Sequence, residues 1–313
     1  ILPKELVRLC EEAGQSELDK DVLIFEPVKR RSVLVTTDSV CDLPEELLQM
    51  FGISVRPYYV LTEEGRFLDG QELMPDELLA HIAQGKKGIS QPPGVEDYER
   101  FFAEKLTEAQ NVIHITMARH VSEGYQNALE AAKSFENVTV LDSGHLSSGM
   151  GLAVLRAAHL AEHHAGKAEI VEAVKRVERY ISTSYLLNTT HMMRQTGHLS
   201  RRIQILCDAL FLHPVLVLKK SRMVVGSMEI GGFARTAKKY VRKMLQDSRS
   251  IDRRVLILTY SGLDEQKLQY IQSLVQQYCP FERVYLQKAS AAVTSNCGPE
   301  SFGLLFMRKD DAV

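Results

Sequence analysis

The stretch 36-TTDSVCDLPEELLQMFGISVRPYYV-60 decides the fold, because it joins a buried strand to a polar turn, a short helix and a second strand. The run Val33, Leu34, Val35 leading into it is apolar without polar alternation, the pattern of a parallel strand covered on both faces. Asp38 and Ser39 then fall at the carboxyl end of that strand, where open α/β sheets place their ligand crevices. Asp42 is placed to cap a helix beginning near Pro44, and Gly52 to stop it. The stretch reads as the first unit of a ligand-binding α/β domain.

Downstream, a polar turn and a helix near 75–84 end at Gly85. The segment SQPPG at 90–94 carries consecutive prolines, which fix φ and remove donors, so it reads as a shaped loop. A helix over 95–109, the strand NVIHITM, a helix over 121–134 and the strand VTVLDS follow. Strands alternating with helices at this spacing imply right-handed crossovers and a mostly parallel sheet. GMGLAVLRAAHLAEHH and AEIVEAVKRVERYIS read as two helices. Further strands are expected near 182–188, 213–218, 223–229, 254–260, 283–290 and 302–308, with helices near 200–210, 233–247 and 263–278. The pair VLVLKKSRMVVGS at 215–227 reads as a hairpin, which brings antiparallel pairing absent from the first half.

A length of 313 residues suits two domains. With a net charge of -2 and no long basic run, nucleic acid is excluded as the main partner, since phosphate binding needs clustered Lys and Arg. Five cysteines, Cys10, Cys41, Cys207, Cys279 and Cys297, show no metal spacing and read as reduced thiols of a cytoplasmic protein without a metal site. No apolar run approaches the roughly 20 residues that span a bilayer, so no membrane span is expected. Residues 1–31, with a candidate helix at ELVRLCEEAG, read as a linker or extension from an upstream region. Packing on the following domain as a decoration is the alternative.

Catalysis finds little support in these residues. VLDSGHLSSGMG places Ser143 between a strand and a helix, but the nucleophile elbow needs Gly-x-Ser-x-Gly and Asp142 precedes the serine. Asp142 and Ser143 read instead as turn residues that cap a helix starting near Ser147. His191, close to Thr189, has no acid beside it in sequence, and the chain has no phosphate-binding glycine loop.

The opening stretch, with its T-D-S, x-x-D-L-P turn and I-x-V-x-P-Y strand, resembles the bacterial DegV family. Four later segments resemble that family in the same order: GISQPPGVEDY at 88–98, HVSEGYQNALEAA at 120–132, VTVLDSGHLSSGMG at 138–151 and NCGPESFGLLF at 296–306. The resemblance covers about residues 32–309 and implies an α/β, DegV-like two-domain fold. A mostly parallel α/β/α domain would span 32–164, and an α+β domain with antiparallel pairing 165–313. It further implies a non-catalytic protein that holds a long-chain fatty acid between its domains and presents the carboxylate to a partner fatty acid kinase. The acyl chain would be bound as ligand, with no cofactor.

In such proteins the carboxylate is held by a loop Thr, a turn Ser and a His near the carboxyl terminus. Here Ser122 stands at the turn position. Ile89 replaces the loop Thr, with the Ser90 hydroxyl beside it, and Asn296 replaces the His, still a donor but never cationic. Arg119 and His120, just before the turn, are candidates to pair with an anionic headgroup. A G-G-R-I-S turn of the family is matched by TGHLS at 196–200, with His198 in place of Arg. Arg235, in the A-R-T element on the face associated with the kinase, is the candidate kinase contact. The changes at Ile89, His198 and Asn296 also motivate a rival reading, a degenerate sensor or scaffold module of a larger protein that no longer binds fatty acid in the standard way.

Overall fold

The computed structural model describes residues 30–188 and 212–309. The candidate helix at ELVRLCEEAG, the helix near 200–210, His191 and the turn carrying His198 lie outside the described residues. β1 (Arg31–Asp38), β2 (Ser54–Arg56), β6 (Ala109–Thr116) and β7 (Val138–Asp142) form a parallel sheet in the order β2-β1-β6-β7. Helix α1 (Glu45–Met50) carries the chain from β1 to β2. On one face lie α3 (Val95–Glu108) and α4 (Gly124–Ala132), packing Tyr98, Phe102 and Ala128 against Val112 and Val138. Against the other lies α5 (Ser147–Glu162), whose Met150, Ala153 and Val154 meet Val33, Val35 and Ile113. Cover on both faces is why Val33, Leu34 and Val35 are apolar in succession.

ISVRPYYV does not form one strand. Pro57 has no N–H to donate, so β2 stops at Arg56 and the chain re-enters a separate sheet as β3 (Tyr59–Thr62). That sheet has the order β4-β3-β5, with β4 (Gly65–Leu68) and β5 (Ile89–Gln91) both antiparallel to β3. The expected loop at SQPPG is thus shortened, because Ser90 and Gln91 belong to an edge strand. Prolines begin where its pairing ends. Helix α2 (Pro75–Ala83) lies between β4 and β5.

The other large sheet has six strands in the order β10-β9-β8-β13-β11-β12. They are β8 (Ile181–Leu186), β9 (Leu212–Lys219), β10 (Arg222–Ile230), β11 (Ile251–Ser261), β12 (Arg283–Lys288) and β13 (Ser301–Arg308). All neighbours pair antiparallel except β11 and β12. The expected hairpin is present as β9–β10. Its turn has positive φ at both Lys220 and Ser221, the twist that a two-residue connection needs.

Helices α7 (Phe233–Leu245) and α8 (Glu265–Tyr278) cover one face of this sheet, burying Val241, Leu245 and Ile271 against Leu256, Leu258 and Phe306. The fully buried Tyr240 hydroxyl donates to the Ser184 carbonyl at 2.8 Å and accepts from the Leu304 amide at 3.1 Å, tying α7 to two strands. From the opposite face, Ile257, Leu305 and Tyr185 enter the same core as Val35, Ile113 and Met150. Helix α6 (Lys167–Val177) adds Ile170 and Val174 to it. One shared apolar core therefore joins the parallel and antiparallel sheets. Each fully buried Ile or Leu there contributes about 1.5–3 kcal/mol.

Candidate functional site

Ser122 lies in the turn between β6 and α4, half-buried, where its oxygen accepts from the Gly124 amide at 3.1 Å. This is a local Ser turn at a helix start. The Ser122 hydroxyl also meets the hydroxyl of Tyr58 at 2.9 Å. Tyr58 is only 2% exposed and arrives from the bend between β2 and β3. Gly124 is required for this approach, since a Cβ there would lie 2.4 Å from the Tyr58 hydroxyl.

Ser90 stands opposite Val60 in the β3–β5 pairing. Its hydroxyl is met at 3.0 Å by the side-chain amide nitrogen of Asn296, which also reaches the Ala292 carbonyl at 2.9 Å and the Ser295 hydroxyl at 3.1 Å. Asn296 belongs to α9 (Ala291–Cys297), so this contact brings together residues far apart in the chain. The loop after Ser90 is tied to the helix after Ser122, because Asn127 donates to the Pro93 carbonyl at 2.9 Å. Tyr58, two residues before Val60, completes the link between the two serines. Ser90 and Asn296 are thereby in direct contact, and Ser122 is linked to the same small sheet through Tyr58.

A second polar cluster fixes the start of α9. Asp42 accepts from the Ser290 amide at 2.8 Å and from the Ser147 hydroxyl at 2.5 Å. Asp69 accepts from the Ala292 amide at 3.2 Å and from the Ser39 hydroxyl at 2.6 Å. Two buried carboxylates thus meet the free amides of a helix N-terminus, where both hydrogen bonding and the helix dipole favour them. Burial nevertheless pushes the Asp42 carboxyl up to about 7, against the opposing effect of the Ser147 and Ser290 bonds. Burial raises the Asp69 carboxyl as well. Ser148 adds a bond from its hydroxyl to the Asp42 carbonyl at 2.6 Å.

Several expectations are corrected by this geometry. Asp42 does not cap α1; it takes a left-handed φ of 42° and turns its carboxylate to α9, while Pro44 precedes that helix. Asp38 does not open onto a crevice, whereas Ser39 lines a cavity of about 790 Å³ together with Asp42 and Asp69. Asp38 is fully buried, accepting from Tyr98 at 2.8 Å with His114 at 3.4 Å, while Ser39 donates to Asp69 at 2.6 Å and accepts from the Tyr58 amide at 3.0 Å. Asp142 and Ser143 do bond the turn, through the Gly144 and His145 amides. Neither caps α5, whose cap position is Leu146.

Arg119 pairs with Asp142 at 3.4 Å, its side chain 60% exposed. With His120 and Ser122 it lines an open depression of about 650 Å³. Ile89 is 56% exposed, whereas its neighbour Ser90 meets α9, so the hydroxyl at Ser90 and not the side chain at Ile89 faces Asn296. Arg235 is exposed on the first turn of α7, against Gly231. Sequence reasoning missed Tyr58 and the carboxylate pair Asp42 and Asp69. The only sign of Tyr58 was its place immediately after Pro57, which ends one sheet and aims the next residue elsewhere. Among the described residues, no group of His, Cys, Asp and Glu is arranged to hold a metal ion, and no helix is long and apolar enough to cross a membrane.

Comparison with known proteins bears on this arrangement. The model of the DegV family, described as uncharacterised proteins, matches residues 32–309. A DegV domain-containing protein of Deinococcus radiodurans is 28% identical over 281 residues, covering 87% of this chain and 97% of that protein. The structure of a DegV family protein from Thermus thermophilus, described as binding fatty acid, is similar with a TM-score of 0.80 and 26% identity, over 89% of this chain and all of that one. The Fatty Acid Kinase (Fak) B3 protein of Streptococcus pneumoniae, loaded with linoleic acid, shares the fold at a TM-score of 0.74 and 15% identity, over 89% of this chain and all of that one. With a matched span that reaches from β1 through β13, and both large sheets in place, this chain belongs to the DegV family.

Proposed function

We propose that this protein is a non-catalytic carrier of a long-chain fatty acid, with the carboxylate held at Ser122 and at Ser90 beside Asn296. The observation that carries the reading is the contact of Ser90 with Asn296, far apart in the chain, with Ser122 tied to the same region through Tyr58 and the Asn127–Pro93 bond. A buried anion needs such donors, because an unpaired carboxylate out of water is costly. Fatty acid binding by the Thermus relative supports the ligand class. The fatty acid kinase protein of the same fold supports a second step, presentation of the carboxylate to a partner kinase, for which Arg235 is the candidate contact.

Mass spectrometry of small molecules released from the purified protein by denaturation tests the reading. A fatty acid in the wild type, strongly reduced in Ser122→Ala, is the expected result. An empty protein that also takes up no added fatty acid would replace this reading with that of a sensor or scaffold module.

A further inference from the structure

The two serines differ from an ordinary pair of exposed hydroxyls in which lone pairs are already taken. At Ser122 the oxygen accepts from the Gly124 amide. The Tyr58 hydroxyl, buried and protonated, has Ser122 as its hydrogen-bond partner among the described residues. Burial, and then the nearby Asp38, hold that phenol well above its ordinary range, so it keeps its proton. A buried O–H left without an acceptor loses about 1–3 kcal/mol. Tyr58 therefore donates and Ser122 accepts. With both lone pairs of the serine oxygen engaged, its own proton is left to point outward.

At Ser90 the same result follows from different chemistry. The Asn296 amide group is oriented by the Ala292 carbonyl, which can only accept, so the nitrogen faces it. That nitrogen is also the atom 3.0 Å from the Ser90 oxygen, and it can only donate. The Ser90 oxygen accepts again, and its proton is free to turn away from Asn296.

We propose that Tyr58 and Asn296 are positioning residues that set Ser122 and Ser90 as donors, so that the site takes an acceptor-only headgroup, an ionised carboxylate, and disfavours headgroups that must themselves donate. The proposal rests on the fatty acid reading above and deepens it to the choice of headgroup. A fatty alcohol with the same tail would bring an O–H that finds no free lone pair on Ser122. Such an unpaired donor is worth about tenfold or more in discrimination.

Equilibrium binding of oleate and of oleyl alcohol, to the wild-type chain and to Tyr58→Phe, tests it. Phenylalanine fills the same space and frees one lone pair of Ser122 to accept from the alcohol. The oleate-to-alcohol affinity ratio should fall by about tenfold, chiefly through tighter alcohol binding. General loosening of the site would affect both ligands alike, since they share a tail, and would not move the ratio. A ratio within about twofold of wild type would overturn the proposal. Asn296→Leu makes the same test at Ser90, with the same expected fall, and decides the matter if Tyr58→Phe does not fold. Wild-type protein that binds no oleate would remove the fatty acid reading itself, whereas oleate binding with an unchanged ratio would remove only the role given to Tyr58 and Asn296.

Discussion

Serine hydroxyls serve opposite purposes at the two polar clusters of this molecule. Around Asp42 and Asp69 they donate inward: Ser147 and Ser39 to the carboxylates, Ser148 to a carbonyl. Near the small sheet they accept instead, Ser122 from the Gly124 amide and Ser90 from Asn296. A hydroxyl whose proton is spent on a buried carboxylate fixes structure and has no proton left for a ligand. An acceptor spent on an interior donor keeps its proton for one. Hydrogen-bond direction, more than residue type, separates the junction from the candidate site.

The largest effect should come from packing at the junction. A Cβ at Gly151 would sit 2.7 Å from the Cys41 carbonyl and 2.7 Å from the Leu43 side chain. Gly151→Val should therefore destabilise the protein by roughly 3 kcal/mol in urea unfolding, because neither backbone nor core has room to give.

Next in size is the pH dependence of Asp42. Because its folded carboxyl is raised from 3.8 to about 7, its contribution is fully present below 3.8 and is lost as pH rises through 7. Asp42→Asn keeps an oxygen for the Ser290 amide and carries no group that titrates in this range. Relative to wild type it should gain on the order of 2 kcal/mol in unfolding free energy between pH 5 and pH 8. A pH-independent difference would show that the ionised carboxylate is tolerated at the junction.

A smaller effect sharpens the assignment of donors. Ser122→Ala strands the buried Tyr58 proton and should cost roughly 1 kcal/mol in stability. Adding Tyr58→Phe to it should recover most of that loss, since the orphaned group is then gone. No recovery in the double variant would show that the loss of Ser122 does not strand the Tyr58 proton.

The smallest effect is expected at Arg119. Its exposed pairing with Asp142 is of the kind that contributes less than about 1 kcal/mol. Arg119→Ala should change oleate affinity less than about threefold in a titration. A loss beyond tenfold would make Arg119 a direct contact of the headgroup beside Ser122.

Much of this fold is legible in one dimension. The unbroken Val33, Leu34, Val35 run announces a doubly covered strand, and the 215–227 pattern a hairpin, because burial and turn geometry act over a few neighbouring residues. Ser122, Ser90 and Asn296 are also visible as candidates through their motifs. Pro57 is where local reading fails. A strand signal continues through it, yet the missing N–H divides the strand between two sheets and redirects Tyr58.

By itself the sequence determined the alternation of strands and helices, the shift to antiparallel pairing and the family motifs, all of which depend on local periodicity and spacing. Only the tertiary structure decided that Asp42 would serve α9 rather than its own helix, that Asp38 would be buried, and which hydroxyls would donate. Those outcomes depend on which groups from distant segments meet once water is excluded. A serine in a sequence carries both a donor and an acceptor, and its neighbours in space choose between them.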